Sequence, residues 1–146
     1  VRLAAEDGFE DEVAAFVRTG HPAAPGVTLA EAARLDWAMP PDSTPVTRAW
    51  YRRFHAVPLE PNAPGLVSRS VEVIRSAVRG GDFACWMPRT LMADELQAGR
   101  VVPLAVPGLT WHRSFRIYRR RRGLLAPAAT LFLQELARRG ASIRSA

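Results

Sequence analysis

The sequence has one cysteine, no lysine and no long apolar run. Cys85 alone can close no internal disulfide and cannot supply the several thiolates of a zinc ribbon, so disulfide scaffolds and most structural metal sites are excluded. No stretch approaches the ~18 uncharged apolar residues of a membrane helix. The opening VRLAAEDGFEDE is acidic where a signal peptide is basic and then apolar, so the expectation is a cytoplasmic protein with no membrane partner. The glycine pair in GGDF lacks the lysine and the following hydroxyl residue of a phosphate loop. His21, His55 and His112 match neither a metal pair nor a catalytic triad, and Cys85, between Ala84 and Trp86, reads as a small buried residue rather than a nucleophile. No catalytic group, metal or cofactor is expected, and the chain is not read as an enzyme.

What is present is ordinary globular material. The 146 residues suffice for one domain or two small lobes, with 48% apolar and 23% charged residues. Charge is unevenly placed: residues 1–99 hold 10 Arg and 13 acids, whereas 100–146 hold 10 Arg and a single acid, Glu135. The run Arg119–Arg122 could neutralise phosphates, although a solvated turn accounts for it as well.

Short apolar runs alternate with amphipathic stretches, which predicts an α/β fold of about six strands and five helices around a largely parallel sheet. Residues 12–18 read as a strand ended by Thr-Gly-His-Pro. Thr28 and Glu31 have capping-box spacing. Ser43 or Thr44 precedes Pro45 as the start of a helix to about His55, and Ser70 starts another that carries Val71, Ile74 and Val78 on one face. Further strands are expected over 83–86, 101–104 and 114–118, and a helix over 88–98. A last helix over 127–139 is expected to cover a sheet face with Leu125, Ala129, Phe132 and Leu136.

Two of these helix starts share a chemistry. PPDST and SRS each bring hydroxyls and free backbone N–H groups to the carboxyl end of a short strand, the edge where open α/β sheets bind ligands and where N–H dipoles favour anions. Arg69 adds a guanidinium suited to a carboxylate. Ordinary capping by Thr44 and Ser70 is the competing reading.

In order and spacing, five segments resemble the effector-binding domain of LysR-type transcriptional regulators: FEDEVAAFVRTGHP, VTLAEAARLDWAMPPDSTPVTRA, SVEVIRSAVRGGDFACWMPRTL, LQAGRVVPL and LLAPAATLFLQELAR. The resemblance implies a fold similar to type 2 periplasmic binding proteins, two Rossmann-like lobes joined by two crossing strands with a small-molecule cleft between them. It implies residues 25–103 as one lobe, 1–24 as the first crossover with part of the other lobe, and 104–146 as the second crossover with its C-terminal part, that lobe being incomplete. It further implies a bacterial transcription regulator that works as a homo-oligomer and meets DNA through a separate winged helix-turn-helix. The implied effector-binding residues are Ser43, Thr44, Ser68, Arg69, Ser70 and Arg18, with a carboxylate-bearing effector expected. A transport-type solute-binding protein of the same fold is the alternative. Incompleteness of one lobe also implies open strand edges around Val13 and Phe16 and around Phe115 and Ile117.

Overall fold

The computed structural model describes residues 2–121 and 123–144. Their elements run β1 (Leu3–Arg18), α1 (Leu29–Ala32), β2 (Ala38–Met39), α2 (Pro45–His55), β3 (Leu66–Val67), α3 (Val71–Gly80), β4 (Cys85–Pro88), α4 (Ala93–Gln97), β5 (Val101–Leu104), β6 (Trp111–Arg120) and α5 (Pro127–Arg144). The α/β class is the expected one. The helix predicted over 88–98 instead opens with a 3₁₀ turn, Arg89–Met92, which has no side-chain cap, and becomes α-helical only from Ala93.

The chain divides into two compact units, one running from Glu12 to Trp111 and the other made of the residues up to Asp11 and from His112 onward. These limits differ from 24/25 and 103/104 because the second half of β1 is hydrogen-bonded into the larger unit, in register with β4 (Val13↔Pro88, Phe16↔Cys85) and with β5 (Ala15↔Leu104, Arg18↔Val101). Both pairings are antiparallel, which corrects the expectation of a largely parallel sheet. Among the described residues, β2 pairs with β3 in parallel, as do the bridges Trp37↔Ala84 and Gly26↔Ala105. Val13 and Phe16, expected near an open edge, lie fully buried between these neighbours.

Alternation along β1 builds two cores. Val13, Ala15 and Val17 point to one side, with Trp37, Trp50, Phe54, Trp86 and Leu104. Ala14 and Phe16 point to the other, with Ile74, Val78, Cys85, Met87 and Met92. Hence α2 covers one face and α3 the other, and the second half of β1, Val13–Val17, is apolar on both sides as a doubly covered strand must be. Trp37 and Trp86 satisfy their indole N–H groups on the carbonyls of Ala32 (2.9 Å) and Leu109 (2.7 Å). Buried Glu95 bridges Arg79 of α3 (2.8 Å) and Arg100 at the start of β5 (2.6 Å), and the Arg100 hydrogen bond, with the charges of both arginines, holds its carboxyl below the usual range.

In the smaller unit β1 pairs with β6. Phe9 stacks on Phe115 with ring centroids 4.8 Å apart, and Arg113–Asp11 and Arg119–Glu6 are ion pairs. A Cβ on Gly8 would lie 1.8 Å from the carbonyl oxygen of Phe115, so only glycine admits this strand contact. Helix α5 turns Ala129, Leu133, Leu136 and Gly140 inward, Gly140 approaching Phe9, while Phe132 is 63% exposed. Of the expected stripe, Ala129 and Leu136 face inward, whereas Leu125 and Phe132 are exposed and Leu133 takes the inward place instead.

Candidate functional site

The site follows from one pairing. Strands β2 and β3 run parallel (Ala38↔Leu66, Met39↔Val67), and the bridge Trp37↔Ala84 sets the start of β4 parallel beside them. Neighbouring strands lie ~4.8 Å apart, so the segments leaving their carboxyl ends are brought side by side. These segments are Pro40–Thr44 into α2, Ser68–Ser70 into α3 and Arg89–Met92 into α4.

Thr44 is the N-cap of α2. Its Oγ1 accepts from the Thr47 N–H (3.3 Å) and donates to Thr47 Oγ1 (3.1 Å), which in turn donates to the carbonyl of Pro40 (2.9 Å). This short relay fixes the Thr44 hydroxyl on a buried partner while the side chain keeps partial access to solvent. Ser43 is exposed and is not the cap. At the neighbouring start, Ser68 Oγ accepts from the Ser70 N–H (3.1 Å), and Ser70 Oγ accepts from the Val73 N–H (3.4 Å) as the N-cap of α3. Each hydroxyl keeps hydrogen-bonding capacity beyond these contacts. Arg69, between the two serines, is exposed and pairs with no carboxylate among the described residues. The structure thus brings Ser43, Thr44, Ser68, Arg69 and Ser70 to one edge.

Arg18 is not at that edge. Because β1 runs antiparallel to β4, its carboxyl end lies where β4 begins, at the opposite side of the sheet. There the Arg18 guanidinium grips Asp82 Oδ1 through Nε (3.0 Å) and Nη2 (2.6 Å). Sequence alone gave no strand direction for β1, and a parallel β1 would have placed Arg18 correctly. The cation that does reach the edge is Arg89, which follows Pro88 of β4, lies 6.0 Å from the Phe16 ring centroid and is 3.5 Å from Glu12 Oε1. The rule that selects Arg69, a cation where a strand enters a helix, also fits Arg89, but the pattern of residues 88–98 reads as an uninterrupted helix and hides that entry.

The remaining candidates have structural roles. His21 is buried, its Nδ1 accepting from the Ala23 N–H (3.0 Å) while Nε2 donates to the carbonyl of Asp82 (3.0 Å). His55 is exposed and lies 3.0 Å from Glu60. Burial pushes the Cys85 thiol up to about 12, which keeps it protonated at neutral pH. Of the basic run, Arg119 is tied to Glu6, Arg120 and Arg121 are exposed, and Arg122 lies outside the described residues. Among the described residues no three His, Cys, Asp or Glu side chains gather to hold a metal ion, and no helix is long and apolar enough to cross a membrane.

The fold is shared with solved regulatory domains. That of HypT from Salmonella typhimurium, bromide-bound, is 18% identical with a TM-score of 0.72, over 97% of this chain and 66% of that one. The CcmR regulatory domain from Synechocystis PCC6803, in complex with 2-PG, is 16% identical with a TM-score of 0.78, over 96% and 68%. The effector domain of AmpR from Pseudomonas aeruginosa is 17% identical with a TM-score of 0.65, over 96% and 65%. The chain therefore spans about two thirds of these domains, and it spans 47% of full-length HypT. This likeness gives the chain the type 2 periplasmic-binding-protein-like fold. No curated protein sequence matches the chain. The model of the LysR substrate binding domain matches residues 2–141, and the chain belongs to that family.

Proposed function

We propose that this chain is the effector-sensing part of a bacterial LysR-type transcription regulator and that it takes a small carboxylate-bearing molecule at the carboxyl edge of β2 and β3. The observation that carries the reading is the pairing of those two strands, which sets two hydroxyl-capped helix starts next to each other. The first-turn N–H groups of α2 and α3 and the hydroxyls of Ser68 and Ser70 donate to the carboxylate, and the Thr44 hydroxyl joins them by turning its proton from Thr47 Oγ1 to the ligand. Ser43 lines the rim, and Arg69 and Arg89 supply charge. Helix N-termini and guanidinium groups favour the same ligand charge, so the two contributions reinforce each other.

Regulation follows if the ligand binds one arrangement of the domain better than another, with coupling of ~1–3 kcal/mol in ordinary allosteric systems. In the whole regulator the output passes through a homo-oligomer to a winged helix-turn-helix outside these residues, in the cytoplasm. Residues 25–103 form the core of one effector-binding lobe, to which the larger compact unit adds the flanking strand and loop residues. The chain binds and does not catalyse. Membership of the LysR family removes the support for the transport-type alternative.

The test is a thermal-shift screen of small carboxylates, followed by calorimetric titration of the strongest hit. Thr44→Ala is expected to weaken binding ~5- to 10-fold, the effect of losing one hydrogen bond of ~1 kcal/mol. Thr44→Ser, which keeps the hydroxyl, is expected to bind like the parent. Equal affinity for Thr44→Ala and Thr44→Ser would refute the role of the hydroxyl.

A further inference from the structure

A cavity lies on the larger unit, away from the helix starts. Ala49, Arg52, Arg53 and Ala56 succeed one another at i, i+3, i+4 and i+7 and so share one face of α2. Opposite them stand Leu29 of α1 and Trp111, and together these residues line a cavity of about 480 Å³, within the ~300–1,000 Å³ of small-molecule pockets. The depression exists because the helix face alternates small and long side chains: Ala49 and Ala56 leave the space and the two arginines border it. Gly108 closes one side in a backbone conformation of φ +86° that other residues adopt only with strain, and a Cβ there would project to 3.9 Å from Leu29 Cδ2.

The aromatic wall is anchored and the charge is one-sided. Trp111 stacks on Trp86, with ring centroids 6.2 Å apart and planes at 15°, and Trp86 is itself anchored through its indole N–H to the carbonyl of Leu109 at 2.7 Å. Arg52 and Arg53 pair with no carboxylate among the described residues, although exposed acids are available elsewhere on the chain. Two full positive charges outweigh the roughly half negative charge of the α2 carboxyl terminus. An aromatic wall, aliphatic sides and two guanidinium groups without acidic partners call for a flat apolar body that carries one anionic group.

We infer that this cavity binds a small amphipathic anion, an aromatic or branched-chain carboxylate, sulfonate or phosphate, as a site separate from the helix-start edge. The apolar body lies against Trp111 and Leu29, and the anionic group meets Arg52 and Arg53. The site rests on different residues from the proposed effector site, and neither inference requires the other.

The test is an NMR titration of the intact chain with naphthalene-2-sulfonate, following the Trp111 indole N–H and the Gly108 amide. Saturable shifts at both are expected, with at least tenfold weaker binding of neutral 2-naphthylmethanol at low salt. Arg52→Gln/Arg53→Gln is expected to weaken the sulfonate at least tenfold. Ala56→Trp, which fills the cavity without touching its charge, is expected to do the same with otherwise unchanged spectra. Thr44→Ala is expected to leave the affinity as it is, whether or not that residue proves to bind an effector. Undiminished binding in either cavity variant, shifts confined to Leu124–Phe132, or loss of binding in Thr44→Ala would overturn the assignment.

Discussion

The backbone N–H of Ser68 donates to the carbonyl of Met39 at 3.1 Å, extending the β2–β3 ladder one residue past the strands themselves. That bond fixes where α3 begins relative to the end of β2, and with it the alignment of Ser68–Ser70 with the turn that leads to Thr44. The edge proposed to bind the effector is therefore held by sheet hydrogen bonds.

Ser70 caps α3, and substitution can separate that role from the effector contact proposed for it. Glycine is nearly as good an N-cap as serine, costing only a few tenths of a kcal/mol, whereas alanine costs ~1 kcal/mol. Ser70→Gly is expected to keep nearly all the stability in urea denaturation while losing ~5- to 10-fold in effector affinity, as one hydrogen bond predicts. Full affinity in Ser70→Gly would assign Ser70 to capping alone.

The two sets of arginines should behave oppositely. Arg18→Gln breaks an exposed pair with Asp82, which at ~0–1 kcal/mol hardly matters for stability, and it is expected to leave effector binding unchanged. Arg69→Gln and Arg89→Gln are expected to weaken binding, more so at low salt where charge is least screened. Calorimetry at two ionic strengths distinguishes these outcomes.

Gly8→Ala is expected to force β1 and β6 apart, since the new Cβ would collide with the Phe115 carbonyl oxygen. Overpacking of this kind costs ~1–3 kcal/mol. Hydrogen exchange is expected to accelerate at the β6 amides (Trp111–Arg120) and to stay unchanged at the amides of β4, which belongs to the other compact unit. Uniform protection across both would contradict the strand contact.

How much of this was legible in the sequence depended on distance along the chain. Capping is local, so Thr28 with Glu31, Thr44 before Pro45, and Ser70 could all be read from neighbours three residues away. Strand direction is not local. Nothing in EVAAFVR distinguishes a strand parallel to its neighbours from an antiparallel one, and Arg18 was misplaced for that reason. The first half of β1 is rich in acids and resembles a polar loop; it is a strand because Asp11 and Glu6 meet arginines more than 100 residues away. The inward face of α5 likewise meets a remote residue, Gly140 approaching Phe9.

The Glu95 bridge predicts a pH response. Its carboxyl titrates below the usual 4.5 in the folded chain, so near that pH the unfolded chain binds more protons. The bridge therefore stabilises the fold above about 4.5, and that contribution fades as pH drops through the lower folded value. Glu95→Gln is expected to lose ~1–2 kcal/mol at neutral pH, the worth of a hydrogen bond to charge discounted for the half-exposed arginines. Urea denaturation is expected to show a smaller gap between the parent and Glu95→Gln at pH 3 than at pH 7, and a constant gap would contradict the assignment.

The most direct test of the binding edge is an amide NMR titration of the intact chain with the strongest carboxylate from the screen. The largest shifts are expected on Thr44, Val46 and Thr47 and on Ser68 to Val73. Largest shifts at Arg18, Thr19 and His21, with the two helix starts unmoved, would contradict it.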